Sequence, residues 1–180
     1  MSPSKHSLNI LLHSIEDRPG KYHWAFYIPD SRMTEVGDVY HCTNFNGLAP
    51  WAYIKVPATR VLFEKSTILA FEIGVIPDGF GPFTLNRRRF EKVVTGVPVG
   101  SAVLVGEPPE ELTSRTWVQE CVRRLVKEGM LLCGDVAALE EEAREAGHEA
   151  RLKGFGEGRV GMYELAVSKV CKGNPRYDPD

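Results

Sequence analysis

One stretch limits what this chain can fold into more than any other: Lys21-Tyr22-His23-Trp24-Ala25-Phe26-Tyr27-Ile28. It reads as a strand, apolar or aromatic almost throughout, with a histidine near its start. The rest of the chain has to be arranged around it. Asp17-Arg18-Pro19-Gly20, just before it, is a strong turn signal that separates it from a short apolar run at Leu8–His13. A second strand-like run, Asp38-Val39-Tyr40-His41-Cys42, follows a polar connection that begins at Pro29, so the two form a hairpin with a long loop.

Further along, Trp51–Val56 and Arg60–Glu64 are strand candidates divided by Pro57, and Ile68–Ile76 is a strand rich in β-branched residues. Pro77–Pro82 reads as a loop, Leu85–Val94 as a short helix with Arg87, Arg88 and Arg89 mostly solvated, and Thr95–Pro109 as extended and turn-rich. The clearest helix is Arg115–Glu128. Trp117, Cys121 and Leu125 recur every four residues beside Val118, Val122 and Val126, with Thr113 or Ser114 as N-cap and Gly129 as the stop. A second helix is predicted from Val136 to Ala146, capped by Asp135 and closed by Gly147, with Glu140–Glu142 on a solvated face. Met162–Val170 is a final strand or helix. Strands first and helices later predict an α+β fold with an antiparallel sheet packed against helices.

A chain of 180 residues is most simply one domain, 1–180, with loose tails at 1–6 and 172–180. A net charge of −2 without a basic block argues against nucleic acid as a partner. No apolar run approaches the ~20 residues of a membrane span, and the first residues lack a signal-peptide pattern. Cys42, Cys121, Cys133 and Cys171 contain no C-x-x-C pair and read as reduced thiols of a cytoplasmic protein. His41 and Cys42 are adjacent, but neighbours on a strand face opposite ways, so neither a metal nor a cofactor is expected.

Three side chains are candidates for catalysis. His23 has the side chain best suited to proton transfer near neutral pH, and His41, across the hairpin, can orient it. Ser114 sits at a helix start, where free N–H groups and the helix dipole favour a nucleophile or a developing oxyanion. Each also has an ordinary reading: Ser114 as a simple cap, His23 as a satisfied core histidine, His41 as a strand-edge residue. Cys121 lies on the apolar helix face and reads as buried and inert. Trp24, Tyr27, Tyr40 and Trp117 are candidates to bind a substrate, or are core.

His23-Trp24-Ala25-Phe26-Tyr27-Ile28 followed by Val39-Tyr40-His41 resembles the strand pair of the lecithin:retinol acyltransferase-like group, circularly permuted relatives of the NlpC-type, papain-like cysteine peptidases. Thr113-Ser114-Arg115-Thr116-Trp117-Val118 resembles that group's N-C-x-x-[FW]-V helix start, and the stretch to Leu131 is similar to a set of fungal proteins. The resemblance spans Tyr22–Leu132. It implies a permuted papain-like fold, with His23 as base and His41 as orienter. It also implies that Ser114 stands where the group carries its nucleophilic cysteine. Serine is a far weaker nucleophile than a thiolate at neutral pH. Three functions therefore remain open. The leading one is non-hydrolytic acid–base chemistry (cyclisation, isomerisation or elimination) on an apolar or acyl-containing small molecule in a fungal biosynthetic pathway. The others are acyl transfer or hydrolysis through Ser114, and binding without catalysis.

Overall fold

The computed structural model describes residues 6–15, 18, 20–30, 36–76, 85–100, 104–156 and 163–173. The loop read at 77–82 and most of the two tails lie outside them. The fold is mixed α+β, with a mostly antiparallel sheet and three helices among the described residues. The sheet is built from β1 (Ser7–Ser14), β2 (Tyr22–Pro29), β3 (Gly37–Thr43), β4 (Ala52–Thr59), β5 (Thr67–Val75) and β9 (Glu164–Val167). Their order is β4-β3-β2-β1-β5-β9, and only β9 runs parallel to its neighbour. β6 (Leu104–Val105) pairs with β7 (Glu110–Glu111), and β8 (Leu131–Cys133) with β10 (Cys171–Gly173).

Alternation along β2 divides the interior in two. Trp24, Phe26 and Ile28 point into the main core with α1 (Leu85–Thr95), α2 (Ser114–Lys127) and α3 (Val136–Gly156). Ala25 and Tyr27 point the other way, into a smaller cluster with Leu11, Val39, Val61 and Leu62. A strand buried on both faces explains why the sequence shows no polar alternation there.

Pro57 does not break β4, because β4 is the edge of the sheet and a missing N–H costs nothing on its open side. The second strand predicted nearby, Arg60–Glu64, is instead a 3-10 turn at Val61–Phe63 that turns Val61 and Leu62 inward. Gly147 does not end α3. A Cβ there would lie 2.6 Å from Leu12 Cδ1, so glycine lets the helix pass close over β1 while continuing to Gly156. The acidic run at its start is not wholly solvated either: Glu140 pairs with Arg115 and Gln119, and Glu142 accepts hydrogen bonds from Ser168 Oγ and the Lys169 N–H. Arg87 is likewise engaged, 2.9 Å from Asp38.

The thiol reading is half right. Cys42 and Cys121 are free and buried. Cys133 and Cys171, directly opposite each other in the β8–β10 ladder, form a disulfide. The expected tail therefore starts later than residue 172, since Cys171–Gly173 belongs to a strand.

Candidate functional site: a histidine cluster on the open face of the sheet

Thr113, not Ser114, caps α2. Its hydroxyl accepts from the Thr116 N–H at 3.1 Å, and Thr116 Oγ1 accepts from the Thr113 N–H at 2.8 Å, closing a capping box. Ser114 is thus the first helical residue, with a hydroxyl not needed for capping. Its Oγ accepts a hydrogen bond from the Trp24 N–H at 3.2 Å. This bond begins where β3 parts from β2, whose last paired residues are Ala25 and His41. So the helix start and the His23 strand do meet, through the amide that follows His23. Arg115 anchors the same turn to α3 through Glu140 at 2.9 Å.

The His23 ring projects from the opposite face of the sheet to the Trp24 side chain, away from the helices. It meets His41 there, with Nε2 of His23 2.9 Å from Nδ1 of His41 and the rings nearly perpendicular at 88°. Among the described residues Nδ1 of His23 has no hydrogen-bond partner, and Ser114 Oγ bonds neither ring. A third imidazole, His13, lies directly across the β1–β2 ladder from His23, with ring centroids 6.1 Å apart. The three rings line a cavity of about 270 Å³. Val39, Val56 and Val61 supply its apolar wall, and Thr59, Glu64 and Ser66 add polar groups.

All three imidazoles are neutral at pH 7. Burial, followed by repulsion from His41 and His13, takes the His23 pKa down to about 3. Burial, then His41, takes His13 down to about 4. Burial lowers His41 as well. Two neutral imidazoles 2.9 Å apart share one proton between facing nitrogens, which fixes their tautomers relative to each other.

None of the four aromatic candidates lines this cavity. Trp24, Tyr40 and Trp117 lie in the main core, on the helix side. Tyr40 also serves the join between the sheet and α1: its hydroxyl donates to Glu91 at 2.9 Å and accepts from Arg87 Nε at 3.3 Å. Burial raises its pKa. Tyr27 faces the cavity side but is fully buried in the smaller cluster. Burial pushes the Cys42 thiol up to about 12 and raises that of Cys121 too, so neither supplies a thiolate. Among the described residues no group of three His, Cys, Asp or Glu side chains is placed to hold a metal ion, and no helix is long and apolar enough to cross a membrane.

Residues 10–132 match a family of unknown function (DUF6540). The chain belongs to this family. The matched segment contains most of β1, all of β2–β5, α1 and α2, and so contains all three histidines and Ser114. No curated protein and no solved structure matches the chain.

His13 was not among the residues singled out from the sequence. The turn signal at Asp17–Gly20 between two apolar runs implies a hairpin, but pairing outward from it sets His13 opposite Trp24; the actual register is one residue different and places His13 opposite His23.

Proposed function

We propose that the cavity is the active site of a small-molecule enzyme that moves protons without forming a covalent intermediate, and that the chain is a permuted papain-like protein whose nucleophile position has become Ser114. The observation that carries this reading is the 2.9 Å bond between His23 Nε2 and His41 Nδ1. It leaves His23 Nδ1 open toward the cavity. A substrate proton taken up at Nδ1 is matched by transfer of the Nε2 proton to His41. The positive charge then rests on His41 until the relay runs back, His41 Nδ1 returning its proton to His23 Nε2 as His23 Nδ1 gives its proton to a second substrate atom. The net result moves one hydrogen from one substrate atom to another, as in an isomerisation or a ring closure, with no group left on the protein. A histidine that resists protonation suits this relay role better than that of a stored acid.

The permuted papain-like relationship is supported by the same pieces: a histidine on β2, a second on β3 bonded to its Nε2, and a helix whose first residue touches the amide after the first histidine. One observation favours acyl transfer as a second reading: Thr113 does the capping, so the Ser114 hydroxyl, which accepts from the Trp24 N–H, is not needed as a cap.

The test is to incubate the protein with small-molecule extracts and follow, by chromatography with mass detection, conversions that change retention time but not mass. The reading expects such a conversion, its loss in His23→Ala and in His41→Asn, and its survival in Ser114→Ala. Loss in Ser114→Ala together with labelling of Ser114 by a fluorophosphonate moves the assignment to acyl transfer. Conversion that survives His23→Ala refutes both.

A further inference from the structure

His13 belongs to neither member of the proposed relay, and its hydrogen bonding fixes which way it is protonated. Its Nδ1 lies 3.1 Å from Thr67 Oγ1. That hydroxyl has a single hydrogen, and it donates it to the Val61 carbonyl at 2.7 Å. Thr67 can therefore only accept from His13, and Nδ1 must carry the proton. Since the ring is neutral, its Nε2 presents a lone pair. Among the described residues no side chain or amide satisfies that lone pair, and the ring lines the cavity.

The rest of the cavity agrees on one kind of occupant. Among the described residues no Lys or Arg lines it, and Glu64 is the one formal charge. An anion placed there would lose its hydration, face that carboxylate and gain no cation from them. Three valines supply an apolar wall. A volume of about 270 Å³ lies just below the ~300–1,000 Å³ typical of drug-sized ligands, so the ligand is small.

From this geometry we infer that His13 is a ligand-binding residue, accepting at Nε2 a hydrogen bond from a hydroxyl or amine of a small, uncharged or cationic, largely apolar molecule, and that the site rejects carboxylates. The inference rests on the proposed site and adds the class of molecule it takes. It also explains why a threonine is buried beside the ring: Thr67 holds the tautomer, as a supporting partner commonly does for a functional histidine. Because His13 and His23 are register partners, a group held at His13 is presented to His23.

The experiment uses two probes built on the same methyl-substituted ring: 4-methylphenol, neutral with an O–H donor, and 4-methylbenzoate, anionic without one. Each is titrated into the full chain carrying ¹⁵N-labelled histidine at pH 7.5. The inference expects 4-methylphenol to shift the His13 Nε2 resonance and 4-methylbenzoate to bind at least about tenfold more weakly, the scale of one hydrogen bond to a buried acceptor. In the unliganded parent, the His13 signals must show a proton on Nδ1 and none on Nε2; the reverse tautomer overturns the inference with no variant needed. His13→Phe keeps a ring in place and is expected to weaken 4-methylphenol about tenfold. Equal binding of both probes, or full 4-methylphenol affinity in a folded His13→Phe, overturns it. His41→Asn separates the two proposals: it is expected to keep 4-methylphenol binding while losing proton transfer. Conversion that persists in His41→Asn while His13→Phe loses binding sinks the relay and leaves His13 in its role.

Discussion

Lowering the pH from 6 to 5 should cost this protein about 2 kcal/mol through two histidines alone. In the unfolded chain a histidine has a pKa near 6.5, whereas His23 and His13 titrate at about 3 and about 4 in the fold. Across this interval the unfolded state takes up protons that the folded state refuses, so stability rises with pH. The contribution is fully present above pH 6.5 and drains away as the pH falls toward the folded values. Between pH 6 and pH 5 each such ring accounts for about 1.2 kcal/mol, a figure that needs only a folded pKa well below 5. If the fall ran to completion, His23 would account for about 5 kcal/mol. Water in the open cavity reduces that total without changing the initial slope, and the His13 and His23 totals overlap because both include repulsion from His41. His41 adds in the same direction. Asp38 does not blur the window. Burial opposes its ionisation, but the Ala58 amide, Arg87 and Lys55 hold it below 3.8, so its own contribution is lost only at lower pH. Urea unfolding read by the fluorescence of buried Trp24 and Trp117 gives the free energy at each pH. The His13→Phe variant should lose about 1.2 kcal/mol less than the parent over the same interval. Equal stability of the parent at pH 6 and pH 5, or an unchanged slope in His13→Phe, would refute the reasoning.

Ser114→Ala leaves the buried Trp24 N–H without its acceptor and should cost about 1–2 kcal/mol in urea unfolding; no measurable loss would mean that the helix start is not held to β2 by this bond. Gly37→Ala sets a Cβ 2.4 Å from the Ile28 carbonyl oxygen and 2.6 Å from the Tyr27 ring. The backbone cannot yield there, so a loss of about 3 kcal/mol is expected. Gly147→Ala meets only the end of Leu12 first, and its helix propensity offsets part of the clash, for a net loss of about 1 kcal/mol. Thiol titration of the unfolded, unreduced protein should find two reactive cysteines, Cys42 and Cys121, and all four of the chain's cysteines only after reduction.

Much of the architecture was legible because period and punctuation agreed. α2 shows a helical apolar face between a threonine cap and Gly129, and β2 shows a dense aromatic run after a turn. Legibility failed where tertiary packing reversed a local signal. Gly147 looks like a helix stop, yet its missing side chain is what admits Leu12 of β1. Pro57 looks like a strand break, yet an edge strand tolerates it. The Cys133–Cys171 pairing depends on β8 and β10, two strands of three residues brought together across a separation of 38, and no local pattern announces it. For the site, His23 and His41 were visible as a pair. Which face they share was not, because β2 is buried on both sides and offers no polar parity to read. That same ambiguity let Trp24, Tyr40 and Trp117 pass as pocket residues when they belong to the helix-side core.

The central claim is that His23 and His41 are neutral and share a single proton across their facing nitrogens, leaving His23 Nδ1 available to a substrate. Long-range ¹H–¹⁵N correlation of histidine side chains, recorded from pH 8 to pH 5, tests it directly. The expected spectrum shows His23 neutral throughout and His41 neutral at pH 7 and above, with one of the two facing nitrogens protonated and the other not, and the pattern disturbed in each ring when the other is replaced. An imidazolium signal from either residue at pH 7, or a His23 tautomer indifferent to His41→Asn, would contradict the account.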